Sequence, residues 1–532
     1  MLQTIIIVIY LGVIAFLGYL GFTKTKNTKD YYLGGRKIHP AVMAFSYGAT
    51  FISTSAIISF GGTAGVFGFS LLWLTFLNIF LGIFIAFIFF GKRTRRIGHN
   101  IQAHTFPEFL GKRYNSKFIQ RFAGIVIFLF MPIYAAAVMI GAAKFIESGL
   151  NVDYNIALLV FAVIVATYVF FGGIKSVMYS DAFQGSLMLI GMSVLLVTVY
   201  WKLGGVTAAH QQLTDLFKNS EVLSQTEGLQ ANGFQGWTSM PKLFSSNWWT
   251  VVSSIVMGVG IGVLAQPQLT VRFMTVKSDR DLNRAIPIGG VFILLMTGVA
   301  FLVGALSNVF FFNEQSQIAV TAAGGADSII PEFLKTFIPE WFMTIFLVVL
   351  LSAGMSTISS QFHAIGTAVG RDVIGVDDKQ PKKAMLITRL GMLVAIAVTI
   401  MMSYILPEIW SDSIAISTGL FFGLCCAAFL PMYFGALYFK SMTKTAAISG
   451  MVAGFSSSLL WMMFIHTKES KAMKIAGLLF GKDSLAEGSI LEVVDPIIIA
   501  LTASVLVTII VQLFSKKTLP KEHIDECFDG IK

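Results

Sequence analysis

Apolar stretches of about twenty residues recur along the whole chain, and this recurrence limits the fold more than any local motif. A helix of that length rises about 30 Å and crosses the hydrocarbon core of a bilayer. Inside lipid every backbone polar group needs an internal partner. Repeated apolar runs therefore specify an all-α polytopic membrane protein, with the lipid bilayer as its first partner. The charged fraction agrees: 12% of the 532 residues are Asp, Glu, Lys or Arg, against about 25% in a soluble domain. The first run, Thr4 to Phe22, lacks a basic leader and a small-residue cleavage site, so it reads as a retained span.

About 13 transmembrane helices are expected, from a first over 4–22 to a last over 495–514. An odd number puts the termini on opposite sides. With the N-terminus outside and the C-terminus cytoplasmic, most basic residues fall on the inner side. The largest inner group is Lys92, Arg93, Arg95, Arg96, Lys112, Arg113, Lys117 and Arg121. The net charge of +10 is then a topology signal, and neither a nucleic-acid partner nor an obligate protein partner is expected. Cys425, Cys426 and Cys527 make no disulfide framework and no metal pattern. No His-Glu-x-x-His motif, Gly-x-Ser-x-Gly turn or pair of intramembrane aspartates is present, so the chain does not read as an enzyme. His363 reads as a snorkelling or capping residue near the inner end of a span over 340–368.

That ninth span carries Ser352-Ala353-Gly354-Met355-Ser356-Thr357-Ile358-Ser359-Ser360-Gln361. Ala353, Ser356, Thr357 and Ser360 recur at i, i+3, i+4 and i+7 and share one face. Small residues there admit a close neighbouring helix. Their hydroxyls suit either a packing seam or oxygen ligation of a hard cation. Two other spans contain helix breakers: 41–68, with Ser53-Thr54-Ser55 and several glycines, and 248–271, with Gly258, Gly260, Gly262 and Gln266-Pro267-Gln268. Unwound backbone at membrane depth must be buried in protein or line a wet cavity. Interrupted spans at matching positions of two halves point to a transporter's binding site. They lie five spans apart, which divides the chain into 1–40, a five-helix unit over 41–200, an outer loop over 201–247, an inverted five-helix unit over 248–438, and two peripheral helices with a tail over 439–532.

Several short motifs, taken in order, resemble the sodium/solute symporter family of proline, pantothenate, sugar and monocarboxylate carriers. They are Gly34-Gly35-Arg36, the segment Gly172-Gly173 through Ser180-Asp181 to Gln184, Gln266-Pro267-Gln268 through Arg272, and Met355-Ser356-Thr357 through Ser360-Gln361. The resemblance spans roughly residues 5 to 515. It implies a leucine-transporter-like 5+5 inverted repeat and sodium-driven uptake of a small solute by alternating access at the plasma (inner) membrane. It also implies a sodium ion held by backbone carbonyls of Ala49, Ile52 and Ala353 with the hydroxyls of Ser356 and Thr357. A second sodium is implied at Asp181, Ser359 and Ser360, although Asp181 before an apolar run also reads as a helix cap.

The resemblance places the solute at the two breaks. Candidate contacts are Thr50, Phe51, Ser53, Thr54, Ser55, Gln266 and Gln268, with Phe421 and Phe422 as apolar walls. Proline carriers of the family have Asp where this chain has Phe51, and sugar carriers have core amides that the second span lacks. The remaining expectation is a small carboxylate or a pantothenate-like acid. No buried Lys or Arg in the spans offers that acid a counter-ion. A proton-coupled carrier of the same fold and a non-transporting membrane sensor are the alternatives. The segment after Phe514 is too short for the kinase module that some relatives carry.

Overall fold

The computed structural model describes residues 2–150, 152–375, 381–410, 413–515 and 519–531, and every regular element among them is helical. Eleven helices are long and apolar enough to cross a bilayer, and Tyr154–Phe170 is a shorter apolar one. The difference from the expected thirteen has two sources. Ser55–Asn100 runs on for 46 residues, with the chain turned inside it at Gly68 (φ 69°). Tyr154–Lys202 is broken inside by Gly173 (φ 59°, ψ −162°). A Cβ at Gly173 would sit in the left-handed region and 2.7 Å from the Tyr31 ring, so glycine is required there. The helix after this break starts about two turns before residue 182. Asp181 is therefore an interior helix residue, and the capping reading fails.

Both expected interruptions are present. Helix Pro40–Phe51 opens on a His39 cap with proline at its first position and stops at Ile52, which is extended (φ −91°, ψ 97°). The chain re-enters a helical path through a π-helical turn, Ser55–Ser59, and helix Phe60–Phe67. The second interruption follows Gly258–Gly262 and a 3₁₀ turn, Val263–Ala265. Gln266 is extended (ψ 117°), and Pro267–Phe273 resumes the helix. Proline biases its predecessor away from the helical region and lacks the N–H that a continuous helix would use. Gln266-Pro267 is thus a built-in break followed by a fresh helix start.

Helix Asp279–Gln315 opens on a reciprocal Ser278–Asp281 capping box and packs along the first interrupted segment. A Cβ on Gly304 would fall 1.8 Å from the Gly61 carbonyl oxygen, so backbone touches backbone here. Gly304→Val is expected to cost at least about 3 kcal/mol, the upper end for overpacking, because the obstacle is main chain that cannot swing aside. The thermal midpoint of detergent-solubilised protein measures this loss. The 201–247 segment is anchored to the same region. Trp237 is buried, its indole N–H donates to the Gly65 carbonyl (2.8 Å), and its own carbonyl accepts from the Phe69 N–H (2.7 Å).

Candidate functional site

Where helix Pro40–Phe51 stops, its last carbonyls lose their in-helix donors. The small face of helix Glu340–Thr367 meets that end. Ser356 Oγ lies 2.8 Å from the Ala49 carbonyl oxygen, 2.8 Å from that of Ser352 and 3.2 Å from that of Ala353. Thr357 Oγ1 lies 3.2 Å from the Thr50 carbonyl and 3.4 Å from that of Ala49. The extended backbone of Ile52 takes its carbonyl out of the helical ladder. Two hydroxyl protons thus serve several carbonyl oxygens in a fully buried spot. This excess of oxygen lone pairs, with no carboxylate among them, is chemistry that a hard monovalent cation can complete. Ala49, Ala353, Ser356 and Thr357 converge, and Ile52 ends the helix beside them.

One turn along the same helix lies a second buried polar group. Asp181 and Arg272 are both fully buried and form an ion pair, with Arg272 Nη2 2.9 Å from Asp181 Oδ2. The guanidinium also donates to Thr50 Oγ1 (2.6 Å), Ser360 Oγ (2.6 Å), Ser46 Oγ (3.0 Å) and the Gln268 carbonyl. Ser46 donates to Asp181 Oδ2 (2.8 Å), while Ser359 approaches Oδ1 (3.4 Å). Asp181, Ser359 and Ser360 are therefore together, but so is a cation that lies one residue beyond the expected span 248–271. The expectation that the spans lack a buried Lys or Arg is corrected by Arg272. Helix Pro267–Phe273 carries it inward past the break.

Above this layer a cavity of about 20 Å³ is lined by Phe51, Ile52, Ser53, Ala56, Phe60, Leu74, Asn78, Tyr134, Val259, Thr297, Phe301, Thr418 and Phe422. That volume holds about one water. No lining side chain carries a charge. Asn78 Oδ1 and, nearby in the chain, Ser55 Oγ and Ser59 Oγ are buried without a hydrogen-bond partner. Phe60 also lines a far larger vestibule, of about 440 Å³, at the end of the bundle that bears the 201–247 loop. Phe60 is thus the lining residue that the two spaces share.

Of the solute candidates, Phe51, Ser53 and Phe422 line the central cavity. Phe421 stacks on Tyr134, with centroids 5.8 Å apart. The others lie elsewhere. Thr50 belongs to the Arg272 cluster, and Thr54 donates to the Val138 carbonyl (2.7 Å). Gln268 Nε2 donates to Gln266 Oε1 (3.2 Å), and Gln268 lines a separate small cavity with Arg272 and His363. His363 is buried and so does not snorkel; its Nε2 lies 3.1 Å from the Tyr31 carbonyl in the last turn of helix Thr28–Leu33. The sequence reading missed Asn78, Tyr134, Thr297 and Thr418. Asn78, an amide in the middle of Leu72-Trp-Leu-Thr-Phe-Leu-Asn-Ile79, was the legible signal.

Comparison with known proteins places this geometry in a family. Sodium/proline symporter 2 of Staphylococcus saprophyticus subsp. saprophyticus is 28% identical over 540 residues, covering 99% of this chain and 95% of that protein. The sodium/proline symporter of Staphylococcus aureus strain RF122 is 27% identical over 511 residues, covering 92% of this chain and 90% of that protein. A solved Na+-coupled sialic acid symporter, in its substrate-bound outward-open state, superposes with a TM-score of 0.76 at 16% identity over 98% of this chain and 99% of that one. The fold is therefore the expected leucine-transporter-like one, built around interrupted helices. The family model for sodium:solute symporters matches residues 31–454, and the chain belongs to the sodium:solute symporter family.

Proposed function

We propose that this chain is a sodium-coupled symporter that imports a small organic solute bearing a carboxylate, pantothenate-like acids included, by alternating access. The carrying observation is the hydroxyl pair of Ser356 and Thr357 resting on the open carbonyl end of Pro40–Phe51. A sodium ion there would take oxygens from Ala49, Ile52, Ala353, Ser356 and Thr357. It would join the first interrupted segment to helix Glu340–Thr367 and so tie ion occupancy to the relative position of two helices. The two five-helix units would be 41–200 and 248–438, with 1–40, the 201–247 loop and 439–532 as additions. The carrier would lie in the plasma (inner) membrane, with an outer N-terminus and a cytoplasmic C-terminus.

A second sodium is proposed at Asp181 Oδ1 with Ser359 and Ser360. Arg272 holds Oδ2 and Ser360, so this ion would require Arg272 to release the serine. A sodium-to-solute ratio of one in reconstituted vesicles would eliminate it.

The solute reading rests on the neutral lining of the central cavity. An amino acid such as proline brings an ammonium group that no carboxylate there would meet. A simple carboxylate needs only hydroxyl, amide and helix-end donors. L-Proline is accordingly the comparator, expected to be carried less well than monocarboxylates or pantothenate-like acids under an inward sodium gradient.

Thermal stability in sodium against potassium or choline tests the ion site before any solute is known. A ligand confined to the folded state adds about 2.7 kcal/mol at a hundred times its dissociation constant. The sodium-specific rise is expected to vanish in Ser356→Ala/Thr357→Ala. A folded protein that ignores sodium would point to proton coupling instead.

A further inference from the structure

We infer that the protein carries a specific site for an anionic phospholipid of the leaflet facing its base-rich end, with an acyl chain lying between the first helix, Leu2–Thr23, and the segment Tyr154–Phe170. Two adjoining cavities carry the inference. One is an apolar groove of about 500 Å³ lined by Leu11, Ala15 and Phe22 from the first helix and by Val163, Ile164 and Tyr168 from the other. From Leu11 to Phe22 it runs about 17 Å at 1.5 Å per residue. Half of a hydrocarbon core about 30 Å thick is about 15 Å, the depth of one leaflet. The groove therefore has the length of one lipid tail.

The second cavity lies beyond the Phe22 end of the groove. It holds about 380 Å³ and is lined by Lys29, Asp30, Lys37, Lys175 and Tyr179. Lys24, two residues beyond Phe22, lies over the Tyr179 ring (5.4 Å) and joins the two spaces. Lys175 pairs with Asp30 (2.7 Å) and also donates to the Lys24 carbonyl (2.8 Å). That pairing cancels the only acid lining the cavity. Lys24, Lys29 and Lys37 are exposed and have no carboxylate in ion-pair range among the described residues. A tail-length apolar groove that ends in three uncancelled lysines complements a phosphodiester headgroup on a fatty chain. On the expected topology this is the cytoplasmic leaflet.

The occupant would bear on the ion site. Tyr168 forms part of the groove wall, and its hydroxyl donates to the Met355 carbonyl (3.0 Å), the residue before Ser356. A chain seated against Tyr168 would steady the helix that carries the sodium hydroxyls.

Titration of the detergent-purified protein with phosphatidylglycerol or phosphatidylcholine, read as thermal midpoint, tests the site. Phosphatidylglycerol is expected to stabilise at lower concentration than phosphatidylcholine. Lys29→Gln/Lys37→Gln is expected to weaken the phosphatidylglycerol half-point about 30-fold, from roughly two surface lysine contributions, and to leave the phosphatidylcholine response alone. Ala15→Phe, a substitution on a lipid-facing position, fills the groove and is expected to abolish the preference. Equal responses to the two lipids in the unmodified protein would overturn the site. So would a preference that survives either variant, or stabilisation reproduced by inorganic phosphate alone. The variants keep the sodium ligands, so failure here is separable from failure of the sodium reading, which the choline control reports independently.

Discussion

Arg272→Met is expected to destabilise the protein by about 3–5 kcal/mol, the largest loss for any single side chain at the site. Removing one partner of a buried pair leaves the other charge without compensation in a medium that solvates it poorly. Asp181 would retain only hydroxyl partners, Ser46 at 2.8 Å, Thr50 at 3.3 Å, Ser359 at 3.4 Å and Ser360 at 3.5 Å. Asp181→Asn is expected to harm the protein for the converse reason, leaving a fully buried guanidinium on neutral oxygens. The double variant, Arg272→Met/Asp181→Asn, is expected to recover much of the loss, because no charge remains and Thr50 and Ser360 already lie 2.9 Å apart. A double-mutant cycle on thermal unfolding in detergent measures the coupling, and additive losses would show that the pair acts through something other than charge. The cycle has a functional arm as well. If sodium competes with Arg272 for Asp181, Arg272→Met tightens sodium binding even as it lowers stability, whereas a purely structural pair lowers both together.

That pair also marks where reading the chain stops. The hydroxyl face at Ser356 and Thr357 is legible because a helix returns to the same side every 3.6 residues, and these residues keep that period inside an apolar run. The breaks are legible because glycine and proline act locally on the backbone. Arg272 is not legible in the same way. A basic residue near the end of an apolar run reads as a topology marker, and its burial depends on Pro267–Phe273 continuing inward to meet a carboxylate 91 residues earlier in the chain. Asp181 misleads for a related reason. The polar stretch Lys175 to Ser180 looks like a loop, yet the helix starts right after Gly173, a conformation that hydropathy does not encode. The number of crossings fails similarly, since Gly68 turns the chain inside a run with no polar gap. Tyr134 and Phe60 become functional candidates only once the central cavity and the vestibule beside it are known.

Glu108→Ala is expected to shift the resting protein towards the state open at its base-rich end. In this structure a vestibule of about 440 Å³ lies at the other end, while the cavity beside Gln268, Arg272 and His363 holds about 20 Å³. What closes that inner end is a compact polar latch. Helix Phe106–Arg113 is capped by Thr105, whose side chain accepts from the Glu108 N–H (3.1 Å) and donates to Asp372 (2.8 Å). The Glu108 carboxylate takes both arms of Arg371, at 2.7 and 3.1 Å, and also Lys112 at 2.8 Å. Arg371 and Asp372 lie in the π-helical turn Ala368–Val373, which ends the helix that carries Ser356 and Thr357. The latch thus fastens the segment between two spans to the base of helix Glu340–Thr367, and separating them would break it.

Burial by itself would raise the Glu108 pKa, but hydrogen bonds from His104 and Arg371 and the charges of Arg371 and Lys112 outweigh it and hold the carboxyl well below its usual range. A depressed carboxyl stabilises fully above its ordinary value and loses that effect only as pH falls through the folded value, so Glu108 keeps its charge throughout about pH 5–8. The Glu108 contacts should therefore respond to mutation and not to physiological pH. Losing one partner of such a pair is worth about 3–5 kcal/mol, and about 5.5 kcal/mol carries a two-state equilibrium from 1:99 to 99:1. In a cysteine-free background, Ala364→Cys, which lines the inner cavity, is expected to label with a polar maleimide many times faster when Glu108→Ala is added. Glu108→Gln, which keeps the shape and some hydrogen bonds, should fall between. Sodium should slow labelling in all three, because an ion bridging Ala49 to Ser356 and Thr357 favours the arrangement that the latch closes. Unchanged labelling in a folded Glu108→Ala protein would mean that packing of Tyr31, Tyr32 and His363, and not the ionic contacts, holds the inner end shut.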